Sequence, residues 1–376
     1  MRRIASLPRD GWEKKVEQYG LLFHTAAGVP YWDESAHYVF SKFEIDSIER
    51  ATYALWEMCK ELVQHVIDEK LFALFLIPEE FEQLVVRSWD EDWPSVYGRF
   101  DLAFDGAGTP KLLEFNADTP TALLEASVAQ WAWLKDTDPD GDQFNTIHER
   151  LIEAWRAVQK FDPRPLHFAA IEGNVEDYIT TEYLRDTAMQ AGLETYYLDI
   201  EAVRWNASTS SFTTPTNQPI RYIFKLYPWE WLVREEYGQF LRSANTHWIE
   251  PPWKAILSCK AILPMLYERH PDSPFLLPSW FERPEFGSFV RKPIHSREGA
   301  NIQVVQDGQV TLETDGAYDT AASVYQQLAP IKPQDGKYAV LGSWVVNGWA
   351  CGLGIREDDQ LVTQNTSRFV PHRMSD

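Results

Sequence analysis

Residues Arg99–Thr121 have the sequence RFDLAFDGAGTPKLLEFNADTPT, which contains two short runs of alternating apolar and polar residues. The runs are Arg99–Phe104 and Lys111–Asn116, and alternation with a period of two is typical of β-strands. The intervening segment Asp105–Pro110 starts with Asp-Gly and contains a second glycine, which is typical of a hairpin turn. We therefore predict an antiparallel hairpin over these residues.

The predicted hairpin brings acidic side chains together. Residues two apart on a strand share a face, so Arg99 lies with Asp101, and Glu114 lies with Asn116. If the turn closes symmetrically, Asp101 lies opposite Glu114 and Arg99 lies opposite Asn116. Opposed carboxylates repel each other, so we expect a cation between them. Asp, Glu and the carbonyl of Asn form an oxygen-only ligand set that suits Mg²⁺.

The acidic composition of the chain limits its partners. There are 35 Lys and Arg residues against 56 Asp and Glu residues, for a formal charge of −21. We expect no nucleic-acid partner, because phosphate binding needs a basic surface. A cationic substrate such as a polyamine is compatible with this charge.

The length of 376 residues, 44% of them hydrophobic, favours two or three lobes around a shared cleft.

The cysteines and the N-terminus indicate a cytoplasmic protein. Cys59, Cys259 and Cys351 are widely spaced and form no CxxC pair, which argues against a disulfide framework or a zinc cluster. The first residues, MRRIASLPRDGWEKK, lack the apolar run of a signal peptide. No segment approaches the roughly 20 apolar residues of a membrane span. We therefore expect no membrane partner.

Periodicity predicts several further elements and a small α/β lobe. The helices and strands that we predict outside the hairpin are the helices Ser41–Lys70, Leu71–Ser88, Ala122–Leu134, Val175–Gln190 and Pro228–Phe240 and the strands Leu166–Ile171, Glu194–Leu198 and Arg221–Leu226. The strand-helix-strand order after Pro163 indicates an α/β lobe at about 163–245. It lacks a GxGxxG motif after its first strand, so a dinucleotide fingerprint is absent.

Two cationic segments are compatible with ATP chemistry. Lys260 lies in SCKAILPML at the start of a predicted helix, and Arg291–Asn301, RKPIHSREGAN, leaves a predicted strand. Cationic side chains and free backbone N–H groups near a glycine suit the charge of a triphosphate, although such segments are also common on surfaces. The chain contains neither a Walker motif nor the kinase HRD and DFG motifs.

Four segments together resemble one family of ligases. In order, RFD…LLEFNADTPT, SCKAILPML, RKPIHSREGAN and CGLGIRE resemble the synthetase domain of glutathionylspermidine synthase and trypanothione synthetase, which are ATP-grasp carboxylate–amine ligases. The resemblance covers nearly the whole chain. Bifunctional members carry an additional N-terminal amidase domain, whereas this chain starts in the ligase region and resembles the stand-alone branch.

The resemblance implies a fold and an ATP site. The fold is mixed α/β and α+β, an ATP-grasp-like ligase of several lobes with the nucleotide between them. Residues 1–376 would form one synthetase domain, with the lobe at about 163–245 inserted. Asp101, Glu114 and Asn116 match magnesium ligands, and Lys260 and Lys292 match lysines that bind the phosphates of ATP. On the residues alone, Lys260 is equally well interpreted as a solvated helix residue.

The resemblance also implies residues around the reacting groups. Arg99 matches an arginine beside the reacting carboxylate, Arg297 lies on a loop that closes over the site, and Arg356 matches an arginine that steadies the transferring phosphoryl group. Thr119 and Thr121 match hydroxyl residues near the acid substrate. As alternatives, Arg356 could pair with a surface acid, and the two threonines could cap the helix at 122–134.

The substrates are the least determined part of the prediction. Glu176 and Asp177 match carboxylates that hold a polyamine, but the first turn of a helix favours acids in any case, and we prefer that interpretation. Where glutathionylspermidine synthases have Lys-Thr-Trp before Trp-Glu, this chain has KLYPWE at Lys225–Glu230. Leu226 thus replaces a hydroxyl residue in a region expected to line the acid site, which puts glutathione in doubt as the substrate.

We therefore predict an ATP- and Mg²⁺-dependent acid–amine ligase. It would join a glutathione-like or peptide carboxylate to a polyamine or amino compound through an acyl phosphate. Two alternatives on the same fold are a non-catalytic ATP-binding module and a phosphotransferase that stops at the phosphorylated product. The sequence does not determine the oligomeric state.

Overall fold

A computed structural model describes residues 1–26, 28–161, 164–318 and 320–375, which form six β-sheets with helices packed against them. The strands are β1 Arg2–Ala5, β2 Thr25–Ala26, β3 Val29–Pro30, β4 Ala36–Phe40, β5 Tyr97–Ala103, β6 Lys111–Asn116, β7 Leu166–Ala170, β8 Thr195–Asp199, β9 Arg204–Asn206, β10 Ser211–Thr213, β11 Tyr222–Leu226, β12 His247–Ile249, β13 Ser279–Trp280, β14 Phe289–Pro293, β15 Gln303–Gln306, β16 Gln309–Glu313, β17 Ser323–Gln327, β18 Tyr338–Val346, β19 Trp349–Asp358, β20 Arg368–Phe369 and β21 His372–Met374. The α-helices are α1 Trp12–Glu17, α2 Lys42–Asp68, α3 Glu79–Asp90, α4 Gln130–Thr137, α5 Ile147–Phe161, α6 Val175–Gln190, α7 Trp229–Leu232, α8 Lys254–Leu257 and α9 Ile262–Arg269.

The central sheet contains the predicted hairpin. Its strand order is β20-β19-β18-β5-β6, and all neighbouring strands are antiparallel. Helix α2 packs against β18 and β19 with its apolar face. Ser41 caps this helix, because its hydroxyl accepts from the backbone N–H of Glu44 and the Glu44 carboxylate accepts from the N–H of Ser41. The predicted helix at 41–70 is thereby confirmed.

A second sheet is fully parallel, with strand order β12-β11-β7-β8. Its strands lie in residues 166–249, and the predicted strand-helix-strand unit forms β7, α6 and β8. The division of the chain into a domain with an inserted lobe stays a prediction, and Pro163, where we placed the start of the lobe, lies outside the described residues.

A third sheet faces the central one across a cleft. Its order is β13-β17-β14-β15-β16, with all pairs antiparallel. Val290 and Val304 of this sheet and Leu113 and Val340 of the central sheet line the same space. The two sheets therefore form opposite walls of a cleft. The hairpin belongs to the wall that the central sheet forms.

A small sheet, β1-β4-β21, connects the N-terminal and C-terminal parts of the chain. The fully buried carboxylate of Glu357, in β19, accepts two hydrogen bonds of 2.9 Å from Arg3 and one of 2.8 Å from the hydroxyl of Tyr38. This buried network attaches the small sheet to the central one.

Two predicted helices are wrong in extent. The segment predicted as a helix over Pro228–Phe240 contains only the single turn α7 and a 3₁₀ turn at Gly238–Phe240. The backbone folds back between them, so that a Cβ at Gly238 would lie 2.5 Å from the carbonyl oxygen of Val233. The helix predicted over Leu71–Ser88 is a 3₁₀ turn followed by α3, since Pro78 begins a new helix.

The helix predicted over 122–134 is present but irregular. It contains a π-helical segment, Glu125–Ala129, that continues into α4. The carboxylate of Glu125 is buried and accepts a hydrogen bond of 2.8 Å from Tyr31. Ala122, just before the helix, has a left-handed φ of 63°. Among the described residues, no side chain caps the π-helical segment at Leu124.

Within the described ranges, we find no helix with the length and apolar character that crossing a membrane requires. Several large aromatic side chains lie inside the protein. Trp32, Trp155, Trp229, Trp248 and Trp344 are among the largest fully buried side chains. Trp229 and Trp248 belong to one cluster of buried apolar side chains, and Trp32, Trp155 and Trp344 belong to another.

Candidate active site

The hairpin has the predicted register. Asp101 pairs with Glu114, and Arg99 pairs with Asn116. A β-bulge follows Asp101, so that the pairing register of the two strands shifts by one residue between Asp101 and the turn. Bulges of this kind commonly redirect side chains next to active sites. The two carboxylates therefore lie on one face of the sheet and line the cleft.

The opposed carboxylates are compensated by cations of the protein. Arg99 donates to both oxygens of Asp101 at 2.6 and 2.9 Å, and the Nζ of Lys260 lies 3.0 Å from Glu114. The amide Nδ2 of Asn116 donates to Asp101 at 3.1 Å. Because the nitrogen of this amide faces the carboxylates, its oxygen would face a cation only after a rotation of 180°.

The pKa values of the two carboxyl groups move in opposite directions. Burial raises the pKa of Asp101, although Arg99 opposes this effect. Burial acts in the same direction at Glu114, but the charges of Lys260 and Lys292 outweigh it and lower the pKa of Glu114 to about 2. Glu114 is therefore ionised at neutral pH and available to a cation.

Gly342 makes room for the arginine at the centre of the site. It lies opposite Asp101 on the neighbouring strand β18. A Cβ at this position would lie 2.8 Å from the Cδ of Arg99. A larger residue would therefore displace the guanidinium from Asp101.

The cleft contains an apolar pocket, which we define by Leu113, Val290, Val304, Leu328 and Ile331. It also includes the two predicted phosphate-binding lysines, Lys260 and Lys292, and both carboxylates of the hairpin. This pocket combines an apolar wall with a charged end.

Lys292 is held at the charged end of the apolar pocket. Its Nζ donates to the carbonyl of Leu113 and to the Oε1 of Gln326, both at 2.8 Å, and the residue is only 8% exposed. Burial lowers the pKa of Lys292 to about 8, and the charge of Lys260 acts in the same direction. Gln326 was not recognised from the sequence, because its contact with Lys292 depends on the pairing of β14 with β17.

Lys260 is not the solvated residue of the alternative interpretation. Its side chain is 11% exposed and contacts Glu114 and the carbonyl of Ser296. Both lysines predicted to bind phosphate therefore lie within the same pocket as Asp101 and Glu114.

A polar pocket adjoins the apolar one. It is lined by Arg99, Thr119, Thr121, Asp177, Arg297 and Arg356 together with Asn116 and Leu226. The two pockets share Asp101 and Glu114, which thus separate an apolar compartment from a polar one. Of the predicted site residues, Glu176 alone lines neither pocket, within the part of the chain that the structure describes.

Arg297 is paired with a residue that the sequence did not single out. Its guanidinium donates to Glu230 at 2.6 and 3.1 Å and to the hydroxyl of Thr119 at 2.7 Å. Glu230 is the last residue of the KLYPWE segment that we compared with the family pattern. That comparison marked the segment, but pairing across 67 residues has no local signal.

Arg356 makes no ion pair among the described residues, so the acidic partner of the alternative interpretation is absent there. Its guanidinium donates instead to the backbone carbonyls of Asn365 and Gln364. Carbonyl contacts fix the side chain without neutralising its charge. Arg356 therefore contributes a positive charge to the polar pocket.

The two acids at the start of α6 have a structural and an electrostatic role. The backbone N–H of Asp177 donates to the Asn174 side chain, which caps the helix. Burial raises the pKa of Asp177 to about 7, and the charges of Glu176 and Glu298 act in the same direction. A cation in the polar pocket would lower this pKa again.

A buried ion pair supports the wall that contains Leu226. Lys225 and Asp118 are both fully buried as side chains, with 2.7 Å between Nζ and Oδ1. Asp118 also accepts from the backbone N–H of Trp229 at 2.9 Å. Leu226, between these contacts, is 2% exposed and lines the polar pocket.

In the described portion of the chain, no group of three or more His, Cys, Asp or Glu side chains is arranged to hold a metal ion. The predicted magnesium ligands differ from such a group, because they comprise two carboxylates and one amide. Two facing carboxylates, joined by the amide oxygen of Asn116 after the rotation described above, would fit the preference of Mg²⁺ for a few protein oxygens supplemented by water and phosphate.

Comparisons with known proteins support the resemblance. Residues 3–375 match the family described as "Glutathionylspermidine synthase preATP-grasp". A protein of Haemophilus influenzae, provisionally named an acid–amine ligase, is 37% identical over an alignment of 390 residues that covers 99% of each chain.

Two longer relatives match most of this chain. The trypanothione synthetase of Crithidia fasciculata is 29% identical over 83% of it, and the bifunctional glutathionylspermidine synthetase/amidase of Escherichia coli is 26% identical over 90%. This chain spans 52% and 59% of the lengths of those proteins.

A solved structure shows the same fold. The glutathione synthetase-like effector of Globodera pallida superimposes with a TM-score of 0.59 over 97% of this chain and 96% of that chain, at 10% identity. This likeness concerns the fold alone, and it confirms the predicted mixed α/β and α+β class.

Proposed function

The chain belongs to the glutathionylspermidine synthase preATP-grasp family, and on that basis we propose that it is an ATP- and magnesium-dependent ligase joining a carboxylate to an amine. The observation that carries this proposal is the meeting of the apolar and polar pockets at Asp101 and Glu114. A ligase of this kind must hold a nucleotide and an acid side by side, so that the reacting atoms are oriented before reaction.

The apolar pocket has the chemistry that ATP requires. Its apolar walls suit the planar base, and Lys260 and Lys292 lie at the end where the phosphates would lie. Preorganised positive charge in a site of low polarity stabilises phosphoryl transfer strongly. Asp101, Glu114 and Asn116 would hold Mg²⁺, which when bound neutralises phosphate charge.

The polar pocket has the chemistry that the acid requires. In the proposed reaction, a carboxylate oxygen of the acid attacks the γ-phosphorus of ATP, and the bond to the bridging oxygen of ADP breaks. The amine nitrogen then attacks the acyl carbon of this acyl phosphate and loses a proton, while phosphate leaves with the former carboxylate oxygen. Arg99 and Arg356 would orient the acid and balance the charge of the transferred group. Arg297 would close the loop over the pocket and exclude water.

The substrates are proposed from chemistry and from the relatives. Asp177, with Glu176 beside it, supplies negative charge that suits a polyamine or another amino compound. The longer relatives are named for glutathionylspermidine and trypanothione, which supports a glutathione-like or peptide carboxylate. The apolar side chain of Leu226 in the polar pocket argues for an acid that differs from glutathione itself.

The proposed intermediate can be tested without knowing the amine. A panel of carboxylic acids is incubated with ATP, Mg²⁺ and hydroxylamine, and formation of an acyl hydroxamate with stoichiometric ADP is measured. With an ¹⁸O-labelled acid, one ¹⁸O atom is expected in the released phosphate. The absence of ADP release and of hydroxamate over a broad panel, with no ATP binding, would show that the proposal is wrong.

The same experiment separates the alternatives. A non-catalytic module binds ATP without releasing ADP, and a phosphotransferase yields a stable phosphorylated product that hydroxylamine does not convert. Arg356→Gln is expected to abolish both ADP and hydroxamate formation. The matched control is Arg150→Gln, which changes an arginine that pairs with Glu153 on the surface.

A further inference from the structure

A further cavity lies on the parallel-sheet side of the molecule, outside the apolar and polar pockets described above. Its volume is about 300 Å³, compared with about 230 Å³ for the polar pocket. Its floor is formed by buried apolar side chains, among them Val203, Phe212 and Leu241. A cavity of this size accommodates a small organic molecule.

The mouth of this cavity is acidic. Glu201, Glu235 and Glu236 line it, and among the described lining residues there is no lysine, arginine or histidine to neutralise them. The hydroxyl of Tyr227 donates to Glu235 at 2.6 Å, which orients that carboxylate at the cavity. An apolar floor beneath three carboxylates attracts an organic cation and repels an anion.

Two aromatic side chains form a rigid part of this floor. Trp248 lines the cavity and is 1% exposed. Phe212 packs edge-on against the indole of Trp248, with ring centroids 5.2 Å apart, which keeps the indole in place. An aromatic floor suits a ligand with a flat apolar body.

A thin wall separates this cavity from the polar pocket. Along residues 226–232, Leu226, Pro228 and Trp231 line the polar pocket, whereas Tyr227 and Leu232 line the cavity. The two spaces are therefore distinct, and a ligand in one does not occupy the other.

From these observations, we propose that the cavity binds an organic ammonium ion with an apolar body. The ammonium group lies at the three glutamates, and the apolar body contacts Val203, Phe212 and Leu241. This site is additional to the proposed ligase site and does not depend on the reaction assigned there.

A set of matched small molecules tests the proposal by calorimetry on the whole protein. Tyramine has both features, whereas 4-hydroxyphenylethanol lacks the charge and 3-(4-hydroxyphenyl)propanoate reverses it. We expect tyramine to bind about tenfold more tightly than the neutral alcohol, and more tightly still than the acid. Equal affinities for the amine, the alcohol and the acid would overturn the proposal.

Variants assign the binding to this cavity. Glu235→Gln with Glu236→Gln removes two exposed carboxylates, and tyramine affinity is expected to fall about tenfold with unchanged thermal unfolding. Glu172→Gln, on an exposed turn of the same region, is the matched control and should leave affinity unchanged. If Asp177→Asn weakens tyramine binding and the double variant does not, the amine binds in the polar pocket and the proposal is wrong.

Discussion

Lys292→Met is expected to abolish a pH dependence of ATP binding that the wild-type protein shows. In the ligand-free protein, burial lowers the pKa of Lys292 from 10.5 to about 8. At about 1.4 kcal/mol for each pKa unit, keeping this ammonium charged costs about 3 kcal/mol in the empty pocket. The phosphates of ATP would remove that cost by pairing with the charge, so binding should raise the pKa of Lys292 again.

Two opposite trends follow for the wild-type protein. Above pH 8 the ligand-free side chain is mostly neutral, so the Kd for ATP should rise up to about tenfold for each further pH unit. The free energy of unfolding of the ligand-free protein should rise by about 3 kcal/mol between pH 8 and 10.5, because only the unfolded state still holds the proton there. Both effects are lost in Lys292→Met, and its affinity at pH 7.5 should be about 100-fold weaker.

Calorimetric titration with ATP measures these effects without turnover. At pH 8.5, in buffers of different ionisation enthalpy, wild-type protein should take up about three quarters of a proton for each ATP bound. Lys332→Met is the matched control, since that side chain is 78% exposed. A Kd that is constant from pH 7.5 to 9.5, or a pH dependence that persists in Lys292→Met, would refute this reasoning.

Three further substitutions test other parts of the structure. Glu114→Gln should reduce Mg²⁺-dependent ADP release by about 10³-fold with little change in thermal unfolding, and near-normal turnover would contradict the magnesium assignment. Glu230→Gln should lower the free energy of unfolding in urea by about 1–3 kcal/mol. When Arg297→Gln is added, the double variant should lose less unfolding free energy than the two single variants together; additive losses would contradict the pairing of Glu230 with Arg297. Burial lowers the pKa of His372 to about 3, so only the unfolded state gains this proton below pH 6.5, and stability falls by about 2 kcal/mol from pH 6.5 to 5. In His372→Gln this fall in stability between pH 6.5 and 5 should be absent. If urea unfolding shows the same fall in the variant as in the wild-type protein, His372 is not its cause.

The features that the sequence predicts well are local ones. The register of Asp101 with Glu114 follows from a period of two on each side of a short turn. The start of α2 follows from the reciprocal contacts of Ser41 and Glu44, three residues apart. In both cases the information lies within a few neighbouring residues.

The contacts that complete the site are distant in sequence. The Nζ of Lys292 donates to the carbonyl of Leu113, 179 residues away, and Arg297 pairs with Glu230 across 67 residues. No periodicity encodes such pairs, because they depend on how sheets pack against each other. The predicted helix over 228–240 failed for a different, local reason, since the backbone approaches itself between Val233 and Gly238.

The small sheet β1-β4-β21 has a consequence for the order of events during synthesis. β4 receives its parallel partner only when His372–Met374 has been made, and the Tyr38 hydroxyl bonds a carboxylate 319 residues further along. Until these residues have been made, one edge of β4 lacks its native partner strand. This part of the fold therefore forms later than the N-terminal segments that it contains, and the unpaired edge of β4 is exposed to aggregation in the meantime.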